Sequence, residues 1–191
     1  MNINLCPERQ NYYKQTNNEI DPTISCQCTS MVAGLDIIYN HDVSRIEKIT
    51  PYKQPEDDLR KFISTDQSVL DFFKHSHPGS KIHPSEWADV LVYAVNLIYK
   101  NTVVYFDGDI TMPKIINDLS NDKPVMVSMQ YPAHKIQGHY ILVVGMQEGN
   151  LIVNDPYKNF LTGGSDGFNN VYSPLDWGRH SKNYGIRYTG A

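Results

Sequence analysis

A change in the spacing of apolar residues near position 101 is the feature that most constrains this fold. Before it, apolar residues recur every three or four positions, the spacing of one face of an α-helix. After it, β-branched and aromatic residues form short runs separated by Gly, Pro, Asn and Asp, which is typical of strands and turns. Helices followed by antiparallel strands indicate an α+β fold. We expect a single domain over residues 1–191, with a helical part over about 25–100 and a sheet part over about 101–191.

Three stretches of the first half predict helices. The first follows Ser25, a candidate N-cap, and carries a long apolar stripe. The second covers residues 56–74, and Ser64-Thr65-Asp66 can interrupt and recap it. The third covers residues 84–99, with Pro84 at a position typical of a first helical turn. We expect these helices to pack on the sheet.

Short apolar runs of the second half predict strands at residues 102–106, 123–130, 138–146, 151–156 and 184–188. A helix capped by Thr111 separates the first two, and a hairpin turn at 147–150 joins the third to the fourth. Residues 157–182 predict a loop anchored by Trp177. A further edge strand is predicted at 12–18, inside an otherwise irregular polar lead-in.

Cys26 lies where the first helix begins. Unpaired backbone N–H groups and the helix dipole favour negative charge at a helix N-terminus. They therefore favour the thiolate, which is the reactive form of cysteine. A free cysteine is also common in protein cores, so Cys26 is a catalytic candidate only if a base lies nearby.

His139 and Asp155 lie at the ends of two strands that the predicted hairpin pairs. His139 opens one strand and Asp155 ends the next. Strands rise about 3.3 Å per residue and pair about 4.8 Å apart, so the start of one arm and the end of the other meet at one sheet edge. We therefore expect the two side chains to be neighbours, as a base and its orienting group require.

The charge of the chain excludes some classes of partner. A net charge of −4 gives no reason to expect nucleic acid or an anionic membrane. No run approaches the roughly 18 apolar residues of a membrane span. The first ten residues lack the basic-then-apolar pattern of a secretory signal. We expect synthesis in the cytoplasm, with lysis or a phage particle as the route by which the protein would act outside.

Neither the cysteines nor the histidines form a metal-binding pattern. Three cysteines, at positions 6, 26 and 28, argue against a disulfide framework. The single residue between the last two differs from the two-residue gap of a zinc knuckle. Three histidines share the loop at 75–83, but no acidic or thiol partner lies at helical spacing. We expect no metal and no cofactor.

The motifs together resemble papain-like cysteine peptidases, and most closely the branch related to bacteriocin-leader (double-glycine) peptidases. Cysteine first, histidine far downstream and an acid or amide after it is the order found in that family. The resemblance spans about residues 12–188 and rests on Tyr13-Lys14-Gln15-Thr16-Asn17-Asn18, Cys26 with Thr29-Ser30, Lys123-Pro124-Val125-Met126-Val127-Ser128, Gly138-His139-Tyr140-Ile141-Leu142-Val143-Val144-Gly145, and Asn154-Asp155-Pro156-Tyr157.

The resemblance implies a papain-like fold, a thiol hydrolase activity and a role for each matching residue. Cys26 matches the nucleophile, His139 the general base and later acid, and Asp155 its orienting partner. Gln15 matches the side chain that donates to the oxyanion. The implied substrate is a peptide or protein, including a bacterial peptide or a peptidoglycan stem.

Two departures from the family pattern leave an alternative open. The family has Gly-Pro after the nucleophile where this chain has Gln27-Cys28. In the alternative alignment with the family, Cys28 is the nucleophile. The alignment that makes Cys26 the nucleophile is the one that places Thr29 at the position it has in the family. The spacing from Gln15 to Cys26 is also longer than in papain.

Two other functions use the same residues or the same fold. A transglutaminase- or deamidase-like acyl transferase would keep the triad and change the acceptor. A non-catalytic binding module would keep the fold and use the helical segment at 56–99 to dock a partner.

Overall fold

Helices occupy the first half of the chain and antiparallel strands dominate the second, which confirms the α+β class. A computed structural model describes residues 2–47, 49, 52–131 and 134–190, with the backbone alone at 136–137. The α-helices are α1 Cys26–Ile38, α2 Ser44–Glu47, α3 Pro55–Thr65, α4 Gln67–Ser76, α5 Ala88–Tyr99, α6 Met112–Leu119 and α7 Pro174–His180. The strands are β1 Ile3–Asn4, β2 Val104–Asp107, β3 Val125–Tyr131, β4 Ile136–Gln147, β5 Asn150–Asn154, β6 Asn170–Tyr172 and β7 Ser181–Tyr188.

The strands form one antiparallel sheet in the order β2-β7-β3-β4-β5-β6, and β1 pairs with β4 just beyond the point where β3 begins. The turn between β4 and β5 consists of Glu148 and Gly149, both with positive φ. This backbone shape matches the twist of a two-residue hairpin. The predicted hairpin is therefore confirmed, and its register runs from Gln147 opposite Asn150 to Leu142 opposite Asn154.

Both faces of the sheet are covered, so its central strands are buried on both sides. On one face, α1 and α5 pack against alternate residues of the strands, among them Met126, Tyr140, Leu142, Val144, Ile186 and Tyr188, and α3 packs behind them on the two helices. On the other face, α6, α7 and the segment around Phe160 cover Val125, Val127, Met129, Ile141, Val143 and Val153. Within the described residues, no helix has the length and apolarity needed to cross a bilayer.

The helix that begins at Cys26 is the centre of the helical layer. Ten of the thirteen residues of α1 are buried. Gly34 allows this helix to approach β7 closely, because a methyl group at Gly34 would lie 2.1 Å from Tyr188 Oη. The Tyr188 hydroxyl lies 3.3 Å from the carbonyl oxygen of Met31, to which it donates.

Two sequence predictions of helix boundaries are refined by capping interactions. The segment predicted at 56–74 is two helices, because the Asp66 side chain accepts hydrogen bonds from the backbone N–H groups of Ser68 and Val69. Asp66 thus recaps the chain, as predicted. The segment predicted at 84–99 begins with a 3₁₀ turn, and α5 starts only at Ala88.

The edge strand predicted at 12–18 is wrong. This stretch contains a 3₁₀ helix at Gln15–Asn17 and follows another at Arg9–Asn11. Its hydrogen bonds reach the loop after β5: the Tyr12 hydroxyl donates to Asp155 O, and Gln15 N donates to Pro156 O. In this segment, those hydrogen bonds take the place of the pairing that an edge strand would make with a neighbouring strand.

The loop predicted at 157–182 is also wrong in part, because it contains β6 and α7. Ser173 and Asp176 form a reciprocal capping box around Pro174 at the start of α7. This pattern of Ser, Pro and Asp is a recognised helix start and could have identified α7 from the sequence. β6 has only three residues and takes its position from pairing with β5.

We expect Gly34→Ala to lower the free energy of unfolding by about 2 kcal/mol, since overpacking a filled core forces neighbouring atoms to move. The better helix propensity of alanine offsets part of this cost. The matched control is Gly178→Ala in α7, where an added methyl meets nothing within 4 Å. Urea denaturation measures both variants, and an unfolding free energy of Gly34→Ala equal to that of Gly178→Ala would contradict the packing described for α1 and β7.

Candidate active site

The N-terminus of α1 is held by side-chain hydrogen bonds from the lead-in segment. The Asn18 amide donates to Ser25 Oγ at 2.9 Å and to Thr29 Oγ1 at 3.1 Å. Ser25 occupies the predicted N-cap position, but its side chain makes no capping hydrogen bond. Asn18 therefore fixes the first turn of the helix from outside, and Cys26 is the first residue of that turn.

Cys26 is half-buried and lines a small cavity together with His139. The cavity has a volume of about 150 Å³. Its lining consists of Thr23, Ile24, Cys26, Gln27, Glu86, Gly138 and His139. The thiol at the start of the helical layer and the imidazole of the sheet thus face a common space.

His139 lies on β4 at a point where strand pairing is irregular. It is opposite Met129, and the register between β3 and β4 shifts just beyond that pair. Gly138, immediately before it, has a φ of 70° that side-chain-bearing residues rarely adopt. The His139 ring packs edge-on against Phe160 at 5.2 Å between centroids. Such an irregularity in strand pairing, a β-bulge, changes the direction in which a side chain points at the end of a sheet.

Asp155 follows the last residue of β5 and is fully buried. Extending the register past Asn154 puts Asp155 opposite Ile141, on the same face as His139 two residues away. His139 Nε2 lies 2.8 Å from Asp155 Oδ1. A carboxylate only accepts hydrogen bonds, so Nε2 is the donor and Nδ1 is left to face Cys26.

The backbone around Asp155 is fixed from three directions. Asp155 Oδ1 accepts from the N–H groups of Tyr157 at 2.9 Å and Lys158 at 3.2 Å. Asp155 N donates to Gly167 O at 2.9 Å. A methyl group at Gly167 would lie 1.9 Å from Asp155 O, so only glycine fits this approach. The hydroxyl of Tyr12 donates to the same carbonyl.

The surroundings of His139 favour its charged form. Burial lowers the pKa of His139, but attraction to the Asp155 carboxylate, the hydrogen bond with it, and the interaction with Cys26 outweigh burial and raise the pKa to about 10. An imidazolium next to a thiol is the arrangement that supports a thiolate–imidazolium ion pair. The His139 imidazole can therefore hold a proton for later transfer.

Gln15 lies near this site but does not line the cavity of Cys26. It is buried, its Nε2 donates to Pro22 O at 2.9 Å, and its Oε1 has no partner among the described residues. One amide N–H is therefore committed to the segment that leads into α1. The second N–H is the only one available to a substrate oxygen.

The other two cysteines lie in the hydrophobic core. Cys28 has no exposed surface, and burial raises the pKa of its thiol to about 12. Cys6 is buried, and burial raises the pKa of its thiol as well. Neither lines the cavity that contains His139. The geometry therefore favours Cys26 over Cys28 as the reactive thiol.

The three histidines at 75–83 do not converge, and two of them have separate partners. His77 pairs with Asp89 at 2.9 Å, while His83 Nδ1 accepts a hydrogen bond from the backbone N–H of Ser85. His75 lies on the last turn of α4. Among residues 2–47, 49, 52–131 and 134–190, no cluster of three or more His, Cys, Asp or Glu side chains could hold a metal ion.

A second, larger cavity of about 550 Å³ adjoins the first and shares Gln27, Glu86 and Gly138 with it. Sequence analysis did not identify this cavity. Its walls come from α1, the loop after α4, the start of α5, β2, β4 and β7, and the lining residues run from Gln27 to Tyr184 along the chain. In the sequence, Trp87 indicates only helix packing and Glu86 only compensation of the helix dipole.

Comparison with known proteins gives one match. A model described as the Peptidase_C39 like family matches residues 9–182. The matched range includes Gln15, Cys26, His139 and Asp155. No curated protein matches the chain, and no solved structure matches it.

We expect iodoacetamide to modify Cys26 in the folded protein while Cys6 and Cys28 stay unmodified, because Cys26 lines a cavity and the other two thiols are buried. Mass spectrometry of the intact protein should show a single adduct at neutral pH. Cys26→Ala should abolish this adduct and Cys28→Ala should keep it. Rapid modification of Cys26→Ala in the folded state would contradict the burial of the other two thiols.

Proposed function

The chain belongs to the Peptidase_C39 like family and is a cysteine peptidase, and we propose that it cleaves its substrate through a triad of Cys26, His139 and Asp155. The observation that carries this proposal is the buried 2.8 Å hydrogen bond between His139 and Asp155, beside the cavity that His139 shares with Cys26. A nucleophile, a base and a group that orients the base are the three parts that acyl transfer requires.

In the first half of the proposed reaction, the Cys26 thiolate attacks the carbonyl carbon of the scissile bond. The carbonyl π electrons move to the oxygen and give a tetrahedral oxyanion. His139 then donates its Nδ1 proton to the nitrogen of the leaving amine, the C–N bond breaks, and a thioester to Cys26 remains. Asp155 keeps the ring oriented through Nε2.

In the second half, water replaces the amine. His139, now neutral, takes a proton from the water as its oxygen attacks the thioester carbon. Collapse of this second tetrahedral species breaks the C–S bond, releases a carboxylic acid and restores the thiolate–imidazolium pair. The acceptor is therefore water, and the overall reaction is hydrolysis.

We propose Gln15 and the backbone N–H of Cys26 as the donors to the oxyanion. The Cys26 N–H is one of the unpaired donors at the start of α1. Gln15 is buried and has one uncommitted amide N–H, since the other binds Pro22 O. Loss of one such donor costs about 3 kcal/mol of transition-state stabilisation in related chemistry.

The substrate that we propose is a bacterial peptide, including the stem peptide of peptidoglycan. The test is incubation of the protein with peptide and peptidoglycan-fragment mixtures, followed by mass spectrometry. Hydrolysis adds one water across a cleaved bond. A gain of one mass unit without cleavage would show glutamine deamidation instead and would contradict the assigned reaction.

We expect Cys26→Ser to lower kcat/KM by at least about 10³-fold, because a serine hydroxyl paired with this histidine stays protonated and is a poorer nucleophile. The matched control is Cys28→Ala, whose kcat/KM should stay within about threefold of the parent after correction for folded protein. Equal activity of Cys26→Ser and the parent protein would overturn the assignment of the nucleophile.

We expect Asp155→Asn to move the basic limb of the pH profile of kcat/KM to lower pH by about one unit or more. Asparagine keeps an oxygen for the His139 N–H but removes the negative charge that raises the imidazolium pKa to about 10. His139 then loses its proton at a lower pH, and neutral His139 has no proton to donate to the leaving amine. Initial rates between pH 6 and 11 test this, and an unmoved basic limb would contradict the role of Asp155.

A further inference from the structure

We infer that the larger cavity beside Cys26 binds a basic side chain of the substrate peptide, with the Glu86 carboxylate as its counter-charge. The inference deepens the proposed function, since it concerns substrate choice at the same site. Glu86 lines both cavities, so it lies where the substrate passes from the reactive thiol into the larger space.

The size of the larger cavity fits one or two long side chains. Its volume is about 550 Å³, and the cavity opens to the surface beside Ile82 and Phe106, which are exposed apolar side chains. Exposed apolar residues at the rim of a cavity are typical of binding sites for a ligand that buries surface there. A peptide bound across Cys26 can therefore place a neighbouring side chain in this space.

Aromatic rings form much of the wall. Trp87, Tyr140 and Tyr184 line the cavity, and the Trp87 ring stacks on His77 at 3.7 Å between centroids. Such rings accept the methylene stem of a lysine or arginine through apolar contact. Their faces also attract a cation held over them.

The fixed charges of the larger cavity are negative or paired. Asp89 is paired with His77, but Glu86 is half-buried and forms no ion pair with any residue that the structure describes. No lysine or arginine lies in the described lining of either cavity. A partly exposed carboxylate in an apolar wall attracts an ammonium or guanidinium more strongly than it would in bulk water.

The backbone at Glu86 is held in place before substrate binds. Its backbone carbonyl accepts a hydrogen bond of 2.7 Å from Gln27 Nε2, which connects it to α1 next to Cys26. The preceding residue, Ser85, is buried and accepts from Arg60 through its hydroxyl. A fixed backbone limits the positions that the Glu86 carboxylate can take, and so reduces the conformational entropy lost on binding.

The test uses peptidyl chloromethyl ketones that alkylate an active-site thiol and leave a covalent adduct. Paired probes differ only in lysine or norleucine at one of the three residues before the ketone, so each pair exchanges the terminal ammonium for a hydrogen on the same four-carbon side chain. For at least one position, we expect the parent protein to react with the lysine probe about five- to tenfold faster. Mass spectrometry follows the appearance of the adduct on Cys26 over time, so the rate of labelling is measured without any need for turnover.

The expected result for Glu86→Gln is loss of this preference, with lysine and norleucine probes reacting within about twofold of each other. The matched control is Glu148→Gln in the β4–β5 turn, which should keep the preference. In the parent protein, the preference should also shrink as the salt concentration rises, because salt screens the attraction. The salt dependence is measured on the parent protein, so it still tests the inference if Glu86→Gln fails to fold.

The contrary outcomes separate the two proposals. If both probes label Cys26 at equal rates at every position, the peptidase assignment stands and the basic-side-chain inference is overturned. If Glu86→Gln keeps the lysine preference, Glu86 is not the counter-charge and the inference is likewise overturned. If no peptidyl probe labels Cys26 at all, the proposed function fails and the inference fails with it.

Discussion

The buried hydrogen bond between Asp155 and His139 is the interaction on which the site depends. Asp155 has no exposed surface, and its carboxylate accepts from the imidazole and from two backbone N–H groups of the following turn. A buried carboxylate is stable only with such partners. The close approach of Gly167 and the hydroxyl of Tyr12 hold its carbonyl in place. The lead-in segment and the loop after β5 are thus fixed by the same residue that orients His139.

Buried charges of α3 position the other side of the site. Asp57 accepts hydrogen bonds from the backbone N–H groups of Glu19 and Ile20, and Arg60 pairs with Asp21 and donates to Ser85. These contacts hold the segment that enters α1 at Cys26 and the turn that contains Glu86. Arg60 is buried while its partner Asp21 is half-exposed, and the buried Asp57 carboxylate has two backbone N–H partners, so these charges act as a rigid frame rather than as a solvated face.

Sequence reasoning identified the elements whose signals are local. The stripe of α1, the recapping by Asp66 and the turn at Glu148-Gly149 each depend on residues a few positions apart. It failed where a segment takes its structure from distant partners, as at Tyr12, whose hydroxyl binds a carbonyl 143 residues away. The prediction of a helix at 56–74 also gave no sign of buried charge, because no local pattern shows that Asp57 and Arg60 are buried.

By itself, the sequence determined the α+β class, the family resemblance and the order of cysteine, histidine and acid, because spacing and residue type carry that information. Only the tertiary structure decided that Cys26 reaches the cavity of His139 while Cys28, two residues later, faces the core. It also decided that Gln15 commits one N–H to Pro22 and that Glu86 and Trp87 line a second cavity. The physical reason is that burial and electrostatic environment arise from contacts between segments far apart in the chain, which no local pattern records.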